Sequence, residues 1–243
     1  MNLRDNTILI TGGATGIGLA LAKKFLELGN TVLICGRDEQ KLTETKKQYP
    51  TLHTLRCDIR SSEDRSVLAA HVGKNFPNLN VLINNAGIYE TYRFDDGQSH
   101  LQQIDEDAAT NLIAPLQLVD IFIPLLKKQP ASAIVNVTSA LARVMHDEAP
   151  VYCATKAGLE MFTRILRRQL KGSGICVFEI APPLVDTQMC RDGKGKISPE
   201  QLVEEFLSAF AQNRWEVQAG RTKLFYFLNW LHPQLAAKAI GRF

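Results

Sequence analysis

Short runs that are apolar on both faces recur along this 243-residue chain, and most are followed by a stretch with helical spacing. Residues 7–10, 31–35, 52–57, 81–83, 133–137 and 175–180 read as strands. Ile17, Leu21, Phe25 and Leu28 repeat at helical spacing until Gly29 stops the pattern. Residues 39–48, 62–75, 105–128 and 151–171 read as further helices. A strand with no polar face needs cover on both sides, which helices on each face of a parallel sheet provide. The alternation predicts an α/β fold, a doubly wound parallel sheet in three layers, as a single domain over residues 1–243. An apolar content of 45% is enough for one sizeable core. Residues 183–215 break the rhythm, with a loop-like Gly193-Lys194-Gly195. They are expected to form a substrate lobe or lid, because insertions near the carboxyl ends of such strands cover ligands.

The turn after the first strand is Thr11-Gly12-Gly13-Ala14-Thr15-Gly16-Ile17-Gly18, and it opens a helix. A backbone without Cβ turns tightly and approaches phosphates closely, and the following helix aims free N–H groups at the anion. In this context the turn reads as the pyrophosphate cradle of a Rossmann-type fold, with Gly12, Thr15, Gly16, Ile17 and Gly18 on the cofactor. The spacing is not the commoner G-x-G-x-x-G, and a plain strand-to-helix turn is the competing reading. The second strand ends at Cys35-Gly36-Arg37. Gly36 has no carboxylate to repel a 2′-phosphate, and Arg37 can fork onto one. NADP(H) is therefore the expected cofactor, with NAD(H) left open. Asp38 could neutralise Arg37, Thr15 adds no second positive charge, and a solvated surface arginine would look the same.

Tyr152 and Lys156 lie four residues apart on a predicted helix and so share a face. A free phenol has a pKa of about 10, and a nearby ammonium favours the phenolate. Reaching about 7 takes roughly 4 kcal/mol of differential stabilisation, which Lys156 and the positive ring of an oxidised nicotinamide could supply together. Tyr-x-x-x-Lys alone is common, so the context carries the weight. Ser139 follows the fifth strand and could hydrogen-bond a substrate carbonyl oxygen, although a turn or cap serine looks alike. Asn111 sits mid-helix, where a buried amide needs partners or a water. Asn84-Asn85-Ala86-Gly87 ends the fourth strand at the ligand-binding edge, where it also reads as a simple turn.

On Thr11 to Gly18, Asp58, Asn84-Asn85-Ala86-Gly87, Asn111, Ser139 and Tyr152 with Lys156, the chain resembles the short-chain dehydrogenase/reductase family over residues 6–187. The resemblance implies Tyr152 as general acid/base, Ser139 positioning the substrate oxygen, and Lys156 on the nicotinamide ribose, lowering the Tyr152 pKa. It further implies that Asn111 holds a water linking Lys156 to solvent, and that Asp58, with Ile59 beside it, meets the adenine. Asn85, Ala86 and Gly87 would line the adenine ribose. Pro182, Leu184, Val185 and Thr187 would lie at the nicotinamide, with Val185 and Thr187 on its carboxamide. No metal is implied. Two departures stand out. Pro183 replaces the family's usual glycine, removing a donor and fixing φ, so the loop must take a different path. Residues 220–243 are an atypical C-terminal segment in place of the family's strand and acidic-glycine turn. This tail and Pro182-Pro183-Leu184-Val185-Asp186-Thr187 look most similar to the DltE-type branch.

A formal net charge of +3 gives little support to nucleic-acid binding. The 5 cysteines are scattered and no signal peptide is evident, so a reducing, cytoplasmic location is expected. No apolar run approaches the roughly 20 residues that span a bilayer. Residues 220–243 carry Arg221, Lys223, Lys238 and Arg242, several aromatics and no acids. A membrane-surface helix is one reading of them, and a helix packed on the substrate lobe or on a partner subunit is the favoured one. Met145, His146, Asp147 and Glu148 are expected to border the substrate cleft. Ile113, Leu116, Ile121, Phe122, Leu159, Phe162 and Leu166 supply surface for a homodimer rather than a tetramer. The expected function is an NADP(H)-dependent oxidoreductase interconverting a small-molecule carbonyl and alcohol. The alternatives are a non-catalytic NADP(H)-binding regulator and a peripheral membrane protein acting through the tail.

Overall fold

A computed structural model describes residues 1–190 and 195–240, with side chains described through residue 237. Gly193, Lys194 and Arg242, and the side chain of Lys238, lie outside the described residues. The first half runs β1 (Thr7–Thr11), α1 (Gly16–Glu27), β2 (Thr31–Gly36), α2 (Glu39–Gln48), β3 (His53–Arg56), α3 (Ser62–Asn75) and β4 (Val81–Asn84). It continues with α4 (Leu101–Ala108), α5 (Ala114–Leu126), β5 (Ser132–Val137), α6 (Pro150–Gln169) and β6 (Ile175–Ala181). The last elements are α7 (Pro199–Ala211), β7 (Glu216–Gln218), α8 (Thr222–Leu231) and α9 (Pro233–Ile240). The strands form one seven-stranded sheet in the order β3-β2-β1-β4-β5-β6-β7, and every pairing is parallel.

The double-faced apolarity of the strands has its cause in two cores. Ile8, Ile10, Val32, Ile34, Ile83 and Val135 pack with Leu21 and Phe25 of α1 and with Phe206 and Phe210 of α7. Their alternates Leu9, Leu33, Leu82, Ile134 and Val177 pack on the other face with Leu68 of α3, Leu118 and Phe122 of α5 and Leu166 of α6. Each such side chain contributes about 1.5–3 kcal/mol by leaving water. β1 bonds to both β2 and β4, so the winding reverses there and a crevice opens at the carboxyl ends of the two strands.

Several elements differ from the sequence reading. The helix expected over 105–128 starts at Leu101 and widens into a π-helical turn at Ala109–Ile113, which carries Asn111. The whole stretch Leu101–Leu126 is long and apolar enough to cross a membrane by length and mean hydropathy, although polar residues interrupt it throughout. One face of α5 is core, from Ala114 through Leu118 and Phe122 to Leu126. The segment 183–215 is not uniformly irregular. It contains α7, opened by a reciprocal Ser198–Gln201 capping box, and α7 packs against α1 as a layer of the core.

β7 was missed because only Val217 of its three residues is buried, which leaves no apolar run to read. It supplies a strand just before residues 220–243, which were expected to stand in place of the family's strand. Within the described residues the tail is mostly helical, as α8 and α9, and Phe225, Tyr226 and Leu228 pack inward on Val144 and Ala236.

Candidate active site

A cavity of about 750 Å³ runs along the carboxyl ends of the strands. At one end, β1 gives way to Gly12, whose φ of +64° and 2.8 Å N–H bond to the Cys35 carbonyl set the turn. A Cβ on Gly12 would lie 2.9 Å from Ala86 Cα, so this position has neither the conformation nor the room for a side chain. Gly16, at φ +53°, faces Thr187, 3.1 Å from where its Cβ would be. Thr15 precedes α1 in an extended conformation without a side-chain cap. The N–H groups of the first helical turn have no intrahelical partner, and Thr15, Gly16 and Ile17 line the cavity. Gly18 does not line it. A Cβ there would come within 2.4 Å of the Gly12 carbonyl and of Asn85 Nδ2, so Gly18 lets α1 pack under the turn.

The β4 end is tied to that turn. Asn85 Nδ2 donates to the carbonyls of Thr11 and Gly12 at 2.9 and 3.2 Å, and Thr11 Oγ1 accepts the N–H groups of Asn85 and Ala86 at 3.0 Å each. Asn85, Ala86 and Gly87 all line the cavity. So do Arg37, Asp58 and Ile59. Asp38 does not neutralise Arg37. Its carboxylate caps α2 through the Lys41 N–H at 3.0 Å and pairs with Lys41 Nζ at 3.3 Å. Asp58 is gripped by Arg60 in a two-pronged ion pair, with Nη2–Oδ2 at 2.7 Å, and this pairing holds its carboxyl below the usual range. A carboxylate so occupied has less to offer a ligand than the resemblance implies.

Tyr152, Ser139 and Lys156 meet in the middle of the cavity. Ser139 caps the 3₁₀ turn Ala140–Ala142 through Leu141 N–H at 3.1 Å, and its hydroxyl faces the same cavity as the Tyr152 phenol. Ser139 is thus a turn cap that also lines the cavity. Lys156 Nζ donates to the Val137 carbonyl at 3.0 Å and sits 5.7 Å from the Tyr152 ring centroid. Asn111 lies behind this floor rather than on the cavity. Its amide closes a reciprocal pair with the Ile88 backbone, at 2.9 and 3.0 Å. A Cβ on Gly87 would be 3.1 Å from Asn111 Oδ1 and 3.5 Å from Lys156 Nζ, so Gly87 leaves the space that links the two.

The expected lowering of the Tyr152 pKa is absent from the chain by itself. Burial pushes the phenol well above its ordinary value, and the neighbouring Ser139 hydroxyl opposes this only in part. Burial also brings Lys156 down to about 8.

Pro182, Pro183, Leu184, Val185 and Thr187 line the cavity on one side. The Pro182 carbonyl accepts the Ala140 N–H at 2.8 Å, and Leu184 and Asp186 bond Ile197. His146 and Glu148 border the cavity as expected, whereas Met145 and Asp147 do not line it. The sequence reading missed Lys41 and Arg60 at the Arg37 end, and Tyr89, Cys190, Arg221 and Phe225 at the other. Lys41 was findable as the third residue of a helix beginning after Asp38. Tyr89, edge-on to Tyr152 at 5.0 Å, had no motif to mark it.

The model of the short chain dehydrogenase family matches residues 6–196. The uncharacterised oxidoreductase DltE of Bacillus subtilis (strain 168) is 45% identical over 230 residues, covering 92% of this chain and 91% of that protein. A short chain dehydrogenase from Burkholderia cenocepacia J2315, solved in complex with NADP, superposes with a TM-score of 0.87 at 23% identity, covering 99% of each chain. One from Burkholderia phymatum, solved with NAD, gives 0.84 at 20% identity over 96% of this chain and 98% of that one. With a family match across most of its length and a relative this similar, the chain belongs to the short-chain dehydrogenases and is an oxidoreductase.

Proposed function

We propose that the chain interconverts a carbonyl and an alcohol with NADP(H), using Tyr152 as the general acid/base. One observation carries this reading: the Tyr152–Ser139–Lys156 floor and the glycine turn line a single continuous cavity. The fit to a dinucleotide rests on the turn itself, where added Cβ atoms at Gly12 and Gly16 would crowd Ala86 and Thr187. Gly12, Thr15, Gly16 and Ile17 would hold the pyrophosphate, with Gly18 supporting the turn from beneath. Asp58 and Ile59 would flank the adenine, and Asn85, Ala86 and Gly87 its ribose. Arg37, with Lys41 beside it, would take the 2′-phosphate. Pro182, Leu184, Val185 and Thr187 would wall the nicotinamide. The similar structures solved with NADP and with NAD support a nicotinamide cofactor of either kind, and the charge at this end favours NADP(H).

The bound cofactor supplies the hydride. The chain's residues manage the proton. Ser139 and Tyr152 hydroxyls would hold the substrate oxygen between them. Burial keeps Tyr152 protonated, which is the form needed to donate to an oxygen gaining negative charge during reduction. Lys156 would then stabilise the phenolate left behind, and Asn111 would fix the Ile88 backbone and the floor around Gly87. A homodimer is part of the proposal. Phe122, Leu159 and Leu166 are buried, but Ile113, Met161 and Ile165 of the same helical region are 45%, 53% and 46% exposed. These are suited to an isologous contact. A cytoplasmic location remains part of the same reading. A screen of carbonyl compounds, following NADPH absorbance, tests the function. NADPH binding without oxidation by any carbonyl would instead favour the non-catalytic regulator.

A further inference from the structure

Helix α8 is apolar on two faces. Its inner face packs through Phe225, Tyr226 and Leu228. Its outer face leaves Leu224, Phe227, Trp230 and Leu231 exposed at 52%, 55%, 78% and 57%, and Leu235 of α9 extends the patch at 54%. Leu224, Phe227 and Leu231 are spaced three and four apart and so form one stripe. The rings of Phe227 and Trp230 lie side by side, with centroids 6.4 Å apart. Single exposed leucines are ordinary, but a contiguous stripe with two aromatics marks a surface that is covered in use.

The charge of the segment selects the cover. Residues 220–243 contain Arg221, Lys223, Lys238 and Arg242 and no aspartate or glutamate. A second copy meeting this patch in an isologous contact would set an all-basic segment against itself. An anionic lipid surface instead complements it. We propose that α8 and α9 dock the protein on anionic membranes, with Phe227, Trp230 and the leucines among the headgroups and upper acyl chains and Lys223 against lipid phosphates. The opposite side of the same helix touches the cavity: Phe225 lines it, and Tyr226 Oη donates to the Ser139 carbonyl at 3.1 Å. Docking and the cavity wall are therefore two faces of one helix.

The test is co-sedimentation of the full chain with phosphatidylglycerol/phosphatidylcholine vesicles and with phosphatidylcholine alone. NADPH binding by each variant serves as a check of folding. The protein is expected to pellet with the anionic vesicles, less with the neutral ones, and less as salt rises. Trp230→Ser should weaken the partitioning about tenfold, and Lys223→Glu more than about fivefold. In a Trp215→Phe background, Trp230 emission should shift to the blue on adding anionic vesicles. Equal or no pelleting with the two vesicle types would overturn the proposal. So would an oligomer in solution that Trp230→Ser dissociates, because a second copy would then cover the face. Neither outcome depends on whether any carbonyl is reduced.

Discussion

The glycine-turn end of the cavity is made largely of backbone, whereas the end beyond Tyr152 is made of side chains drawn from residues far apart in the chain. At the first end, Gly12 and Gly16 adopt positive φ, and Asn85 laces β4 to the turn through two carbonyls. At the other, Tyr89, Cys190, Arg221 and Phe225 converge from three separate segments. Backbone geometry needs particular residue types at fixed spacing. A wall of side chains can be built by many. The first end should therefore respond steeply to single substitutions, and the second should alter what is bound rather than whether the site works.

The largest expected effect falls where the two ends meet. Tyr152→Phe keeps the ring but removes the proton donor, so turnover should fall about 10²–10⁴-fold while NADPH titration stays near wild type. A turnover close to wild type would take Tyr152 out of the mechanism. Next comes the turn. Gly12→Ala forces a Cβ to within 2.9 Å of Ala86 Cα at φ +64°. It should cost about 1–3 kcal/mol of stability and most of the NADPH affinity, read by thermal melting and fluorescence. Wild-type melting in this variant would show the turn to be more pliable than a backbone cradle should be. Arg37→Ala should weaken NADPH by about tenfold or more and leave NADH almost unchanged. Equal losses for both cofactors would remove the 2′-phosphate from that end.

The pH profile probes the floor. The folded pKa of Lys156 is lowered, to about 8, so its cation is present below that pH and is lost as pH rises through it. Reductive turnover should decline above about pH 8, and Lys156→Arg should remove that limb even if it lowers the rate. The smallest effect belongs to the far wall. Phe225→Ala should change KM for carbonyl substrates by about tenfold or less and leave NADPH affinity alone, which steady-state kinetics would separate.

The same contrast explains what the sequence revealed. β1 to β6 were legible because each is apolar on both faces, and the Gly12–Gly18 turn because only glycine fits it. Ser139, Tyr152 and Lys156 were legible as a set, since their order along the chain accompanies that turn. β7 was not, because its two polar residues leave only Val217 buried. α7 was hidden inside a segment read as a lid, although Ser198 and Gln201 spelled its start. The role of Asn111 in holding the Ile88 backbone follows from the π-helical turn, which no spacing rule anticipates. The direction of the Tyr152 pKa depends on how deeply the ring is buried, and burial comes from Tyr89 and the surrounding walls rather than from the motif.

The claim that both ends serve one reaction is tested most directly with NADPH carrying deuterium on its nicotinamide carbon, supplied with a carbonyl found active in the screen. The account predicts an alcohol with deuterium on the former carbonyl carbon, formed by the wild type and suppressed in Tyr152→Phe that still binds NADPH. Alcohol formed without deuterium on that carbon, or formed equally well by Tyr152→Phe, would contradict it.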